Sequence, residues 1–308
     1  MFFEGSEKKV EVVMTSNSDS LRSFDKGFWE KLVSLSNAEI LSSIHNEQCD
    51  AYILSESSLF VWHDRFLMLT CGNSTLVNSI IGFLDAVNLD DIQSVKYQRH
   101  KEYHAHLQVS RFTDDAEKLK TVLNGKAYRV GHLDSHHHYV FHYQKSNEIK
   151  VSAVTELLMY HLSGEVANYL RSPNQTKEAI NRLLKLDAWF SDFMIGEHLF
   201  KPFGYSVNGI AGDKYFTFHI TPQESGSYLS FETNINLAEQ QPRLLIGLLD
   251  IFKPGCWDVI QTNANEIVSS FEDTLCIGQC DLQIGQGNNI IFKQYQQPWH
   301  QQLTAVEL

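Results

Sequence analysis

The sequence predicts an α+β fold: two antiparallel sheets packed face to face, helices on the outer faces, and two similar halves. Two observations predict it. The order hairpin, helix, strand occurs twice, first over 59–70, 74–87 and 92–98, then over 216–233, 242–252 and 257–261. No linker rich in Pro, Gly or Ser separates the two sets, so one domain spanning residues 1–308 is expected.

The elements follow from period and punctuation. Val10 to Met14 alternates and reads as a strand. Asp25 to Ser36 has Phe28, Leu32 and Val33 on one helical face. Ala38 to Ile44 and Asp50 to Leu54 read as strands, and Leu59–Trp62 with Arg65–Thr70 as a hairpin around His63-Asp64. Ser74 to Val87 is a helix, Ile92 to Gln98 a strand, and Asp114 to Asn124 a short helix. Val151 to His161 precedes two helical stretches, Glu165–Arg171 and Thr176–Leu186, split by Ser172-Pro173-Asn174-Gln175. Tyr215–Pro222 and Tyr228–Asn234 read as strands. Pro242–Phe252 is a helix with proline in its first turn and Lys253-Pro254-Gly255 as its stop. Trp257–Gln261 and Ile290–Tyr295 are the last strands, before a frayed tail carrying Gln296, Gln297, Gln301 and Gln302.

Hydrophobic content of 43% and charged content of 20% suit a soluble globule, and a net charge of −12 argues against nucleic-acid and anionic-membrane partners. No run of about 18 apolar residues exists, so no membrane helix is expected. Carboxylates near the N-terminus speak against a signal peptide, so a cytoplasmic protein is expected. Five cysteines at irregular spacing suggest no disulfide framework. Cys276-x-x-x-Cys280 has no second pair, so no metal is expected there.

Two apolar runs, Tyr52–Leu54 and Leu59–Val61, flank Ser55-Glu56-Ser57-Ser58. By itself that core is a hairpin turn. The whole decamer, however, resembles the self-cleavage site of eukaryotic-type S-adenosylmethionine decarboxylases, pyruvoyl enzymes with a four-layer αββα fold. The resemblance implies scission between Glu56 and Ser57, giving pieces 1–56 and 57–308, and conversion of Ser57 into a covalent pyruvoyl cofactor. The chemistry requires serine, or in principle cysteine, at that position: a serine hydroxyl can attack the preceding carbonyl, and elimination of the ester leaves dehydroalanine, which hydrolyses to a ketone.

Further blocks extend the resemblance. Phe2-Phe3-Glu4-Gly5-Ser6-Glu7 is similar to the family's opening, which implies that Phe3 stacks on adenine and Glu7 lies in the active site, with Glu4 a weaker candidate. Thr70-Cys71-Gly72 implies Cys71 as the acid that protonates the product carbon. The stretch 200–209 implies Phe200 as a second stacking ring and Ser206 as a processing serine. Two ring faces suit a sulfonium ligand. Within 215–222, His219 is implied as the base of the elimination. Leu54 and Glu56 join the substrate-binding set. One position departs: where the family has a ribose-binding glutamate, this chain has Gln223, beside Glu224.

The family's acidic putrescine site matches at Glu11, Glu156 and Glu232, and Arg99 is retained. Its aspartate is Ser152 here, its lysine is Leu69, and an aromatic is Lys96. Lys96 is therefore expected to replace putrescine, as basic side chains do in plant members. Two histidine-rich stretches, His100-His104-His106 and His132-His136-His137-His138-His142, read as a solvated surface; His136, His138 and His142 would share a strand face, with metal binding the alternative.

These residues imply decarboxylation of S-adenosylmethionine for polyamine synthesis by a monomer or homodimer of processed protomers. A pyruvoyl decarboxylase of another amino acid, or a regulatory paralogue activating a partner subunit, stays open. A paralogue would be expected to lose Ser57, Cys71 or His219, and none is lost.

Overall fold

The structure, a computed structural model, describes residues 3–146, 152–264, 271, 273–285, 287–298 and 305. Phe2, Val151, Gln301 and Gln302 lie outside them. The first half forms one eight-stranded antiparallel sheet. Its strands are β1 (Lys8–Met14), β2 (Ile40–His45), β3 (Asp50–Leu54), β4 (Ser57–Val61), β5 (Arg65–Thr70), β6 (Ile92–His100), β7 (Lys126–Gly131) and β8 (His137–Gln144). The second half forms another from β9 (Val154–Tyr160), β10 (Met194–Leu199), β11 (Tyr205–Ala211), β12 (Lys214–Thr221), β13 (Tyr228–Thr233), β14 (Cys256–Thr262), β15 (Leu275–Gln283) and β16 (Asn289–Gln296).

The strand orders are β2-β3-β4-β5-β1-β6-β8-β7 and β10-β11-β12-β13-β9-β14-β16-β15. Each strand of the second sheet sits where its counterpart eight strands earlier sits in the first. The two halves read from the sequence are thus one topology used twice.

Alternation within strands builds the layers. On β1, Val10, Val12 and Met14 pack with α1 (Lys26–Ser34), α2 (Leu76–Ala86) and α3 (Phe112–Lys120) in one core. The Asp25 carboxylate caps α1 by accepting from the Phe28 N–H at 2.8 Å. The second sheet packs likewise on α4 (Gly164–Leu170), α5 (Lys177–Leu184), α6 (Leu186–Trp189), α7 (Leu237–Gln240) and α8 (Leu244–Phe252). The sequence reads 176–186 as one helix, but Lys185 at φ 54° turns left-handed and divides it. Between the sheets, Phe60, Trp62 and Tyr215 make one apolar cluster, and Leu158, Tyr160, Ile260 and Phe292 belong to another.

Strands β7, β10, β11 and β15 were not legible as strands. Apart from buried Val130, the residues of β7, β10 and β15 are exposed or only partly buried, and the three strands lie at sheet edges, so no clean alternation is printed on them. The solvated histidine surface is corrected. His100, His138 and His142 are buried between the sheets, because β6 and β8 turn these positions inward. His106 and His132 are exposed, His104 is half-buried, and His136 precedes β8 and meets Asp258 at 3.3 Å.

Candidate active site

Leu54 on β3 pairs with Ser57 on β4, leaving Ser55 and Glu56 as a two-residue turn. Outside contacts hold that turn. Ser55 N–H donates to the Glu39 carbonyl (2.8 Å), and the Ser55 hydroxyl accepts from Glu39 N–H (3.0 Å). Ser57 is fully buried at φ 146°, a backbone region that side chains rarely adopt. Its hydroxyl donates to Glu7 Oε1 at 3.0 Å.

The carbonyl before Ser57 receives two donors from one residue. Glu56 O accepts the Cys71 N–H at 2.8 Å and the Cys71 thiol at 3.0 Å. Cys71 Sγ also lies 3.2 Å from His219 Nε2, and His219 Nδ1 lies 2.8 Å from the Ser206 hydroxyl. The first sheet thus supplies Glu7, Glu56, Ser57 and Cys71, and the second supplies Ser206 on β11 and His219 on β12. The last two face each other in register.

Burial sets the protonation states. It pushes Glu7 up to about 7, against the lowering hydroxyls of Ser230 and Ser57. It pushes Glu56 up to about 7, against Cys71 and Lys8. The Cys71 thiol is pushed well above its ordinary value by burial, then by Glu56 and Glu7, and so keeps its proton. His219 is held down to about 4 by burial, and so is neutral near pH 7.

Aromatic and polar groups surround this centre. Gly72 has φ +65°, and a Cβ there would stand 3.0 Å from Glu56 Oε2 and 3.3 Å from the Phe3 ring. Phe3 N–H donates to Gln223 Oε1 at 3.1 Å. The Phe200 ring is 6.3 Å from His219, centre to centre. Leu54 is buried in the first core. Glu4 turns to the backbone of Ser6 and His104. Lys8, which the sequence did not single out, donates to Gly72 O (3.0 Å) and Gln108 Oε1 (2.8 Å). The cavity of about 780 Å³ lined by Trp189, Phe193, Ile235 and Gln241 shares no residue with this site.

Beside it lies a buried charge cluster. Lys96 Nζ reaches Glu11 Oε2 at 3.4 Å. The ammonium between Glu156 and Glu232 is that of Lys9, 2.6 Å from each. Burial raises both carboxyls; beside Lys9, Glu156 ends below its ordinary value and Glu232 above it. Glu232 also accepts from the Tyr215 hydroxyl. Arg99 is not part of this cluster. It turns to the helix face and pairs with Asp115 at 2.7 Å. The signal for Lys9 was present: Glu7, Lys9 and Glu11 alternate with Val10 and Val12 on a strand whose two faces are both covered.

Residues 1–297 match the family described as adenosylmethionine decarboxylase. The S-adenosylmethionine decarboxylase proenzyme of Leishmania donovani is 32% identical, over 84% of this chain and 72% of its own length. That of Xenopus laevis is 32% identical, over 82% of this chain and 81% of its own. The crystal structure of the Trypanosoma brucei AdoMetDC-delta26 monomer superposes with a TM-score of 0.61 at 21% identity, covering 78% of this chain and 99% of that one; it carries the fold.

Proposed function

This chain belongs to the adenosylmethionine decarboxylase family, and we propose that it cuts itself between Glu56 and Ser57 and works as one unit of two pieces, 1–56 and 57–308. It is an S-adenosylmethionine decarboxylase, a carboxy-lyase whose product serves polyamine synthesis. The observation that carries the self-cleavage is the constraint at Ser57: φ 146°, hydroxyl on Glu7, and preceding carbonyl on two donors of Cys71.

In the cleavage, Ser57 Oγ attacks the Glu56 carbonyl carbon. The Oγ–C bond forms, the C–N bond breaks, and the hydroxyl proton ends on the Ser57 nitrogen. Glu7 steers the hydroxyl. The Cys71 N–H and thiol meet the oxygen on which negative charge develops. His219, kept neutral by burial and oriented by Ser206, takes the Ser57 α-proton. Glu56 then leaves as a carboxylate carrying Oγ, and residue 57 becomes dehydroalanine. Its enamine takes up water and releases ammonia, leaving a pyruvoyl ketone.

The site fits that group: Ser57 is enclosed, and Glu7 and Cys71 are close by. In place, the pyruvoyl group supplies the electron sink for loss of carbon dioxide. Cys71, with its proton retained, is the acid for the product carbon. Phe3 and Phe200 supply ring faces for a nucleoside and a sulfonium, and Gln223 holds the Phe3 backbone. Lys9, with Lys96 on Glu11, supplies the cations that a diamine brings to the acidic site of animal members.

Intact-mass analysis with carboxyl-labelled S-adenosylmethionine tests the reading. Two pieces, a blocked terminus at residue 57 and released label are expected. A chain that stays whole defeats the self-cleavage. Label released only from a different amino acid defeats the substrate.

A further inference from the structure

We propose that Asn208 is a positioning residue for self-cleavage, gripping both arms of the scissile hairpin from the opposite sheet. The inference rests on the reading that the chain is cut between Glu56 and Ser57.

Asn208 sits on β11 with no solvent exposure. Its Oδ1 accepts from the Ser58 hydroxyl at 2.7 Å and the Thr217 hydroxyl at 2.9 Å. Its Nδ2 donates to the Tyr52 carbonyl at 3.0 Å. Tyr52 belongs to β3 and Ser58 to β4, the two arms that carry the Glu56–Ser57 turn. Ser58 and Thr217 are also buried, 3.3 Å apart. One amide thus satisfies a donor and an acceptor on two strands of the facing sheet and is itself steadied by its register partner, Thr217.

The grip ends one residue from Ser57. A serine at φ 146° relaxes toward ordinary extended backbone unless its neighbours hold it. On one side, Glu56 O is fixed by Cys71. On the other, Ser58 is fixed by Asn208. The Ser57 backbone is therefore clamped between two anchors, one in each sheet. Relaxation would let Oγ swing away from the carbonyl carbon it must attack. The grip acts on that first step, in which Oγ–C forms, C–N breaks and the proton passes from Oγ to nitrogen; no co-reactant enters. It does not touch the α-proton, so it leaves the elimination alone.

The test follows appearance of 1–56 and 57–308 with time in wild type, Asn208→Leu, Asn208→Asp and Ser58→Ala. Melting temperature and hydroxylamine-labile ester are measured on each uncut chain. Asn208→Leu is expected to cut at least about tenfold more slowly, the scale of one lost buried hydrogen bond, and to hold no ester. Asn208→Asp keeps the acceptor oxygen and should recover part of the rate. Ser58→Ala should fold as wild type and cut a few-fold more slowly. His219→Ala, blocked at elimination, should instead accumulate ester. If wild type cuts and both Ser58→Ala and Asn208→Leu cut as fast, the grip is overturned. The same holds if Asn208→Leu accumulates ester as His219→Ala does, or if it merely misfolds while Ser58→Ala and Asn208→Asp cut at the wild-type rate. A wild-type chain that never cuts overturns the underlying reading as well.

Discussion

Ser57 and Glu7 meet at 3.0 Å although 50 positions separate them in the chain, and the meeting sets a pH dependence. The Glu7 carboxyl is pushed up to about 7. Its ionised form, the stronger acceptor for the Ser57 hydroxyl, fills only as pH rises through about 7. Self-cleavage should therefore accelerate across that range, and Glu7→Gln should be slow and flat with pH. Time courses at pH 6 to 8.5 measure this; an unchanged profile in Glu7→Gln would refute it.

The same shift has a stability sign. The folded chain keeps a proton on Glu7 that the unfolded chain releases near pH 4.5, so the stability this group contributes is lost as pH rises from there to about 7. Uncut Ser57→Ala protein should gain melting temperature at pH 8 when Glu7→Gln is added, and should gain nothing at pH 4. Thermal melts of the pair at both values decide it.

Cys71→Ala removes the thiol but keeps the N–H that holds Glu56 O. Cleavage should finish, several-fold more slowly. Turnover should fall by roughly 100-fold or more, the scale of a lost proton donor, and a dead-end adduct on residue 57 should accumulate. Intact mass after substrate exposure reads both. Wild-type turnover in this variant would remove Cys71 as the acid.

Gln223 offers one amide oxygen, which the Phe3 N–H occupies. Gln223→Glu keeps that acceptor and adds charge for ribose hydroxyls. Apparent affinity for S-adenosylmethionine should tighten by about 1–2 kcal/mol. Gln223→Leu should release Phe3 and raise KM with little change in kcat. Unchanged KM in both variants would mean that position 223 does not bear on the substrate.

Lys9 stands between two buried carboxylates, so Lys9→Met should cost about 3–5 kcal/mol, the range for an orphaned buried charge. Its activity should drop and recover with millimolar putrescine, while wild type ignores the diamine. Lys96→Ala, which leaves only the 3.4 Å pair with Glu11 unmade, should lose less. Strong putrescine stimulation of wild type would contradict this arrangement.

The layered fold was legible because β1 and β12 print their alternation, β3–β5 their apolar runs, and α2 and α8 their apolar faces. β7, β10 and β15 print little, since edge strands take their place from partners remote in sequence. At the site, Ser57, Cys71 and His219 stand in recognisable local strings. Their convergence does not, because it depends on which face of β4 looks at which face of β12. Lys96 was singled out over Lys9 because it was read against a family pattern; the parity of β1 placed Lys9 inward. The buried histidines were misread for a similar reason: polarity was taken as exposure, yet the space between these sheets is itself polar around Lys9, Gln98, His100 and His138.

The position of β1 has a consequence for lifetime. It belongs to the 1–56 piece yet lies in the middle of the first sheet, bonded along its length to β5 and β6. Trp29, Leu32 and Val33 of the same piece are sunk in the first core. Scission at Glu56 would therefore free no fragment. Withdrawing the short piece would split a sheet down its centre, so dissociation would cost what unfolding costs. The two pieces should melt in one transition, insensitive to dilution, although no covalent bond joins them.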